Sequence, residues 1–172
     1  MAAIDPPLLR LGVRAPNFAL AGVDGRTHTL GDVRGRNGTL VAFICNHCPY
    51  VKAIVGRFVA EVQALQALGV GSIAIMPNDT TAYPADSLAN MHAFARQHGF
   101  TFPYVIDATQ DVARAYGAVC TPDFFAFNGE LELQYRGRLD ASRTTLLPDA
   151  RRDLYEAMAL IAQTATGRPS SP

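Results

Sequence analysis

The sequence has no tryptophan and only 3 cysteines among its 172 residues. An odd cysteine count cannot close a full set of intrachain bridges, which argues against a disulfide-stapled scaffold. A chain of this length also has no need of one, since it buries roughly 70% of its unfolded surface on folding. An excess of charge is missing too: Lys+Arg 15 balance Asp+Glu 15. That leaves no electrostatic ground for expecting nucleic acid or an anionic membrane as partner. Apolar runs are short, as in Leu40 to Cys45, far below the roughly 18 residues that a membrane span needs. Asp5 and Arg10 break the only apolar stretch near the amino terminus, so no secretory signal is read there and a cytoplasmic setting is expected. With 49% hydrophobic and 17% charged residues, the chain is no disordered tail. One domain over residues 1–172 is expected, its core spanning about 13–163, with extensions at both ends.

What is present begins with a short hairpin signal, Asp24-Gly25 between apolar positions. Thr39 to Ile44 is a β-branched and apolar run, the pattern of a strand buried on both faces. Val51, Ile54, Phe58, Val62 and Leu65 then recur every three or four residues, with Lys52, Arg57 and Glu61 off that stripe. This predicts an amphipathic helix from Pro49, which suits a first turn, to about Leu68. Ser72 to Met76 completes a strand, helix, strand unit with a right-handed crossover. Ser87 is set to cap a helix with Leu88, Met91, Phe94 and Ala95 inward. A short strand at Tyr104 to Ile106 and a short helix at Asp111 to Tyr116 follow. Asp123 to Phe127, the turn Asn128-Gly129 and Leu131 to Arg136 predict a hairpin, and Pro148 to Gln163 a last helix. The order of elements predicts an α/β fold, a central mixed β-sheet flanked by helices, with an N-terminal β-hairpin extension.

The chemistry concentrates at Cys45-Asn46-His47-Cys48-Pro49, where the first core strand turns into a helix. Unpaired N–H groups and the helix dipole favour an anion there. Helix amino termini and C-x-x-C spacing lower thiol pKa values from about 8.5 to between ~3.5 and ~7.5. One helical turn brings the two sulfurs together, so a mixed disulfide formed on one is resolved by the other. His47, if protonated, would stabilise a thiolate and make the disulfide more oxidising, with Lys52 adding to the field. Two inert cysteines are the plainer reading. A metal site built from Cys45, His47, Cys48 and Cys120 is another, disfavoured because structural zinc takes two close ligand pairs and the second is missing.

These residues resemble the thioredoxin-like superfamily from about Val13 to Arg143. Ala15-Pro16-Asn17-Phe18-Ala19-Leu20 is similar to the start of peroxiredoxins and related redoxins. Ile44 to Lys52, Asn78-Asp79 through Tyr83-Pro84-Ala85-Asp86, and Tyr116 to Phe125 resemble one branch, the peroxiredoxin-like thioredoxin-family proteins. The resemblance implies a thioredoxin-like fold. It aligns Cys48 with the peroxidatic cysteine of true peroxiredoxins, but Cys45 stands in the place of their threonine and Pro122 in that of their activating arginine. It implies instead that Thr121-Pro122 is the cis-proline dipeptide facing the C-x-x-C turn, with Thr121 and Pro122 forming the wall that binds substrate. Cys120 would then lie near the pair, as a third redox residue, a metal ligand or a small core residue. The thioredoxin tryptophan and buried acid are both missing, so proton transfer falls to Asp79, His47 or solvent. Arg136 and Arg138 read as solvated edge charges.

The expected activity is thiol-disulfide exchange, with Cys45, taken as the more exposed thiol, attacking and Cys48 resolving. The alternatives are a peroxiredoxin-like thiol peroxidase, an antioxidant activity attacking through Cys48, and a metal-binding or non-catalytic interaction module. The expected partners are a protein or small-molecule disulfide, or a peroxide, together with a thiol reductant. Neither a cofactor nor a metal is expected.

Overall fold

The structure, a computed structural model, describes residues 10–165. The proline-rich lead-in before Arg10 and the tail after Ala165 lie outside the described residues. Strand β3 (Gly38–Phe43) is buried along its whole length because its alternating side chains leave on opposite faces into two cores. Leu40 and Ala42 join one core, against helix α2 (Pro49–Gln66), helix α3 (Leu88–Gln97) and helix α5 (Asp153–Thr164). Val41 and Phe43 join the other, against helix α1 (Leu30–Val33) and helix α4 (Asp111–Tyr116).

Among the described residues the sheet has seven strands. Strand β3 pairs in parallel with β4 (Val70–Met76), which pairs in parallel with β5 (Tyr104–Ile106). On its other side β3 runs antiparallel to β6 (Asp123–Phe127), which pairs with β7 (Leu133–Gly137). The amino-terminal hairpin, β1 (Ala19–Gly22) and β2 (Thr27–Thr29), extends the sheet beyond β5. This is the expected mixed α/β sheet with its hairpin extension. Among the described residues no helix is long and apolar enough to cross a membrane.

The whole stripe from Val51 to Leu65 is buried on α2, but Glu61 is buried beside it, because Arg152 reaches its carboxylate at 3.1 Å. Ser87 caps α3 by accepting from the Asn90 N–H. Leu88, in the first turn, faces solvent, and Phe94 enters the core in its place. Helix α1 was not expected; a reciprocal Thr29 and Asp32 capping box starts it. Helix α5 begins at Asp153 rather than Pro148, since the carbonyls of Leu147 and Pro148 accept from Arg57 instead of continuing a helix. The β6–β7 connection is longer than Asn128-Gly129: the Asn128 side chain accepts from the N–H groups of Glu130 and Glu132, and β7 starts only at Leu133.

Candidate active site

The C-x-x-C segment leaves the carboxyl end of β3, where the Ile44 N–H still bonds to the Ile75 carbonyl. Cys48 is the N-cap of α2, its carbonyl accepting from Val51 and Lys52 and its side chain free of any capping bond. The Cys48 sulfur is therefore placed at the positive end of an 18-residue helix. The exposure of the pair is the reverse of that expected: Cys45 is 1% exposed, whereas Cys48 is only partly buried. The cause is local. Cys45 still belongs to the strand end and packs with Ile44 and Val51, while Cys48 sits after the turn, on the rim. Burial is the main reason the Cys45 thiol pKa is raised; a hydrogen bond with Thr121 offsets this in part and the charge of Asp86 adds to it.

Both sulfurs converge on Thr121. Cys45 Sγ lies 3.4 Å from the Thr121 hydroxyl, and Cys48 Sγ donates to the Thr121 carbonyl at 3.4 Å. The Thr121-Pro122 bond is cis, as the resemblance implied. A cleft of about 600 Å³ opens over these groups, with Tyr50, Tyr83 and Val119 among its lining residues. A second cleft continues it beyond Thr121 and Pro122, past Tyr50, Cys120 and Arg143.

Beneath the pair sits an acid that the sequence did not single out for this role. Asp86, fully buried at the end of a short 3-10 turn (Pro84–Asp86), accepts from the Asn46 N–H at 2.8 Å and from the Asn78 amide at 2.8 Å. His47 Nδ1 lies 2.6 Å from the Asp86 carboxylate, but out of line for a directed hydrogen bond. The imidazole stacks on Tyr83, with ring centroids 5.3 Å apart. Asn46 is pinned further by the Tyr104 hydroxyl, which donates to its side-chain oxygen at 2.8 Å, and by the Ala85 carbonyl. Two buried groups far along the chain thus fix the conformation of the dipeptide between the cysteines.

The family model described as AhpC/TSA matches residues 11–154. The chain belongs to the AhpC/TSA family. It is similar to "Thiol-disulfide oxidoreductase ResA" from Geobacillus thermodenitrificans, 30% identical over 131 residues, which cover 71% of this chain and 67% of the relative. Among solved structures, an uncharacterized conserved protein from Geobacillus kaustophilus is 39% identical at a TM-score of 0.89, covering 99% of this chain and 91% of its own. A hypothetical protein from Sinorhizobium meliloti is 34% identical at a TM-score of 0.87, with 95% and 89% covered. The protein is an oxidoreductase of the redoxin branch of the thioredoxin-like superfamily.

Within this redoxin the remaining expected residues divide. Cys120 is exposed and lines both clefts, so it is no core residue. Its thiol pKa is raised, first by desolvation and then by Asp123. Lys52 is exposed on α2 and is not among the residues lining either cleft. Asp79 is an exposed turn residue whose carboxylate accepts from Thr81; the buried acid near the thiols, which the sequence reading took to be missing, is Asp86. Arg136 is not a solvated edge charge: it pairs with Asp123 at 3.0 Å, donates to the Gly117 carbonyl and covers the Phe125 ring. Arg138 is exposed, as expected, and pairs with Asp153. The one signal that pointed toward Asp86 was its place in the Tyr83-Pro84-Ala85-Asp86 segment of the resemblance.

Proposed function

We propose that the protein catalyses thiol-disulfide exchange through Cys45 and Cys48, with the order of attack opposite to that read from the sequence. The observation that carries the order is the difference in burial: Cys48 lies on the open cleft at a helix start, and Cys45 lies behind it. The Cys48 thiolate attacks one sulfur of a substrate disulfide, forming a mixed disulfide and releasing one substrate thiolate. Cys45, deprotonated, then attacks the Cys48 sulfur, releasing the second substrate thiolate and leaving a Cys45–Cys48 disulfide. The Cys45 proton leaves through His47 and Asp86, each with a ring nitrogen or carboxylate oxygen within 4.8 Å of its sulfur to accept it. A dithiol reductant restores the pair by the same chemistry. Thr121 and Pro122 form the wall against which an extended substrate lies, with the exposed Tyr50, Tyr83 and Val119 rims supplying apolar contact.

The same exposure of Cys48 favours one second reading, reduction of a peroxide. There Cys48 would be oxidised to a sulfenic acid as the peroxide is reduced to water or an alcohol, and condensation with Cys45 would release water. The arginine lining the cleft over the sulfurs, Arg114, is paired with Asp111 at 2.9 Å, and Arg136 with Asp123, so neither offers an unpaired guanidinium to the peroxide.

Single serine variants test the assignment. Cys48→Ser is expected to lower disulfide reduction by more than about a hundredfold, while Cys45→Ser accumulates a mixed disulfide with substrate, visible by mass spectrometry. Trapping in Cys48→Ser instead would restore the reverse order. Peroxide consumption faster than disulfide reduction by the wild-type chain would move the function to the second reading.

A further inference from the structure

Cys45, His47 and Asp86 each offer one donor atom, and the three atoms lie within 4.8 Å of one another. We propose that the reduced protein binds one Zn2+ through Cys45, His47 and Asp86, and that the ion withholds Cys45 from exchange. Typical bonds of about 2.3 Å to sulfur and about 2.0 to 2.2 Å to nitrogen and oxygen place tetrahedral ligands roughly 3.3 to 3.6 Å apart. The three atoms, within 4.8 Å of one another, close to that spacing with shifts of about 1.5 Å or less. His47 and Asp86, now 2.6 Å apart, part by about 0.7 to 1 Å to reach it, a shift that the imidazole, 38% exposed, makes by turning against its stack on Tyr83.

Three observations point to a ligand here. The His47 Nδ1 atom is buried and has no aligned hydrogen-bond partner, although a carboxylate stands beside it. Such an atom is costly to leave unsatisfied. Asp86 is already oriented by two amide donors, Asn46 N–H and the Asn78 side chain, the kind of outer support that metal-ligating carboxylates receive. Finally, Cys45 and His47 line the cleft, so there is a way in and an open fourth position for water. One thiolate, one imidazole and one carboxylate select zinc. The sulfur is too soft for Mg2+ or Ca2+, and the carboxylate too hard for Cu(I).

Coordination takes the Cys45 thiol proton, which passes to solvent, and leaves the oxidation state of zinc unchanged. In a Cys45–Cys48 disulfide no thiolate remains to ligate, so binding belongs to the dithiol form alone. The effect on turnover rests on the exchange function proposed above, because the ion would occupy the thiol that resolves the mixed disulfide; the binding itself does not rest on it.

The full chain, reduced with a phosphine under anaerobic conditions, is titrated with Zn2+ against a chromophoric chelator. One equivalent is expected to bind. The disulfide form, Cys45→Ser, His47→Ala and Asp86→Asn are each expected to weaken binding by about tenfold or more. His47→Ala keeps the test valid if Asp86→Asn disturbs the loop. Co2+ in place of Zn2+ is expected to give a sulfur-to-cobalt charge-transfer band that Cys45→Ser removes. Absence of binding to the reduced chain overturns the proposal. So does a Cys48→Ser or Cys120→Ser variant that loses binding while His47→Ala keeps it. Zinc binding in a chain that exchanges no disulfide supports the site and sinks only the exchange function; exchange that saturating Zn2+ fails to slow by about tenfold overturns the blocking role.

Discussion

Among the carboxylates withdrawn from water, Asp86 and Glu61 have surroundings that differ in a way that separates a site from a scaffold. Asp86 engages both oxygens: Asn46 and Asn78 donate to them, and His47 stands against one. Glu61, on the α2 face away from the cysteines, is held through one oxygen by Arg152, while its other oxygen has no partner. Asp86 ties the C-x-x-C turn to the exit of β4, so its partners are the pieces whose relative placement sets the thiols. Glu61 only fastens α2 to the residue that precedes α5, where Arg57 and Asp140 add a second pair. A buried acid saturated by the site's own backbone positions it; one left half-satisfied is a tolerated cost of packing.

The largest expected effect breaks the first member of that pair. Asp86→Ala strands the Asn46 N–H and the Asn78 amide in a buried setting, each costing about 1 to 3 kcal/mol. Denaturant unfolding is therefore expected to show a loss of about 2 to 5 kcal/mol. A loss below about 1 kcal/mol would mean that water replaces the carboxylate and that the comparison with Glu61 has no content.

The physical reasons why some features were legible and others were not follow the same division. Periodicity exposed β3, α2 and β4, since strand and helix patterns are local, and the α4 bounds match residue for residue. The cis-proline came with the resemblance. Asp86 escaped because it meets Asn46 across 40 positions through a turn whose own pattern says only that it is polar. The exposure of the two cysteines escaped for another reason: the pattern placed the helix start at Pro49 but did not show that the strand's core runs on through Cys45. Glu61 was placed outside by its charge, and only the arrival of Arg152 from a distant segment makes its burial tolerable.

The second acid is tested by pH. Burial pushes the Glu61 carboxyl above its ordinary value of 4.5, with the hydrogen bond and charge of Arg152 opposing the shift and Asp140 adding to it. Between 4.5 and the raised value the folded chain keeps a proton that the unfolded chain has released. Stability then falls as pH rises through that window. Glu61→Gln cannot titrate, so its Tm should match wild type at acid pH, exceed it increasingly as pH climbs through the window, and hold that lead above it. A gap that stays constant, or that opens in favour of wild type, would show that the Arg152 pair stabilises the fold after all.

The smallest expected effect concerns the acid that sequence alone favoured. Asp79 is exposed, and its carboxylate accepts one bond, from the Thr81 N–H at 2.9 Å; the Tyr83 N–H bonds to its backbone carbonyl, which any residue supplies. Asp79→Ala frees a donor that water reaches at once, so the cost should stay within about 0.5 kcal/mol, and the rate of disulfide reduction should not change. A drop of about tenfold in that rate, with stability unaltered, would place Asp79 rather than Asp86 on the proton path of Cys45, and would move the meaning of the comparison from burial to solvent access.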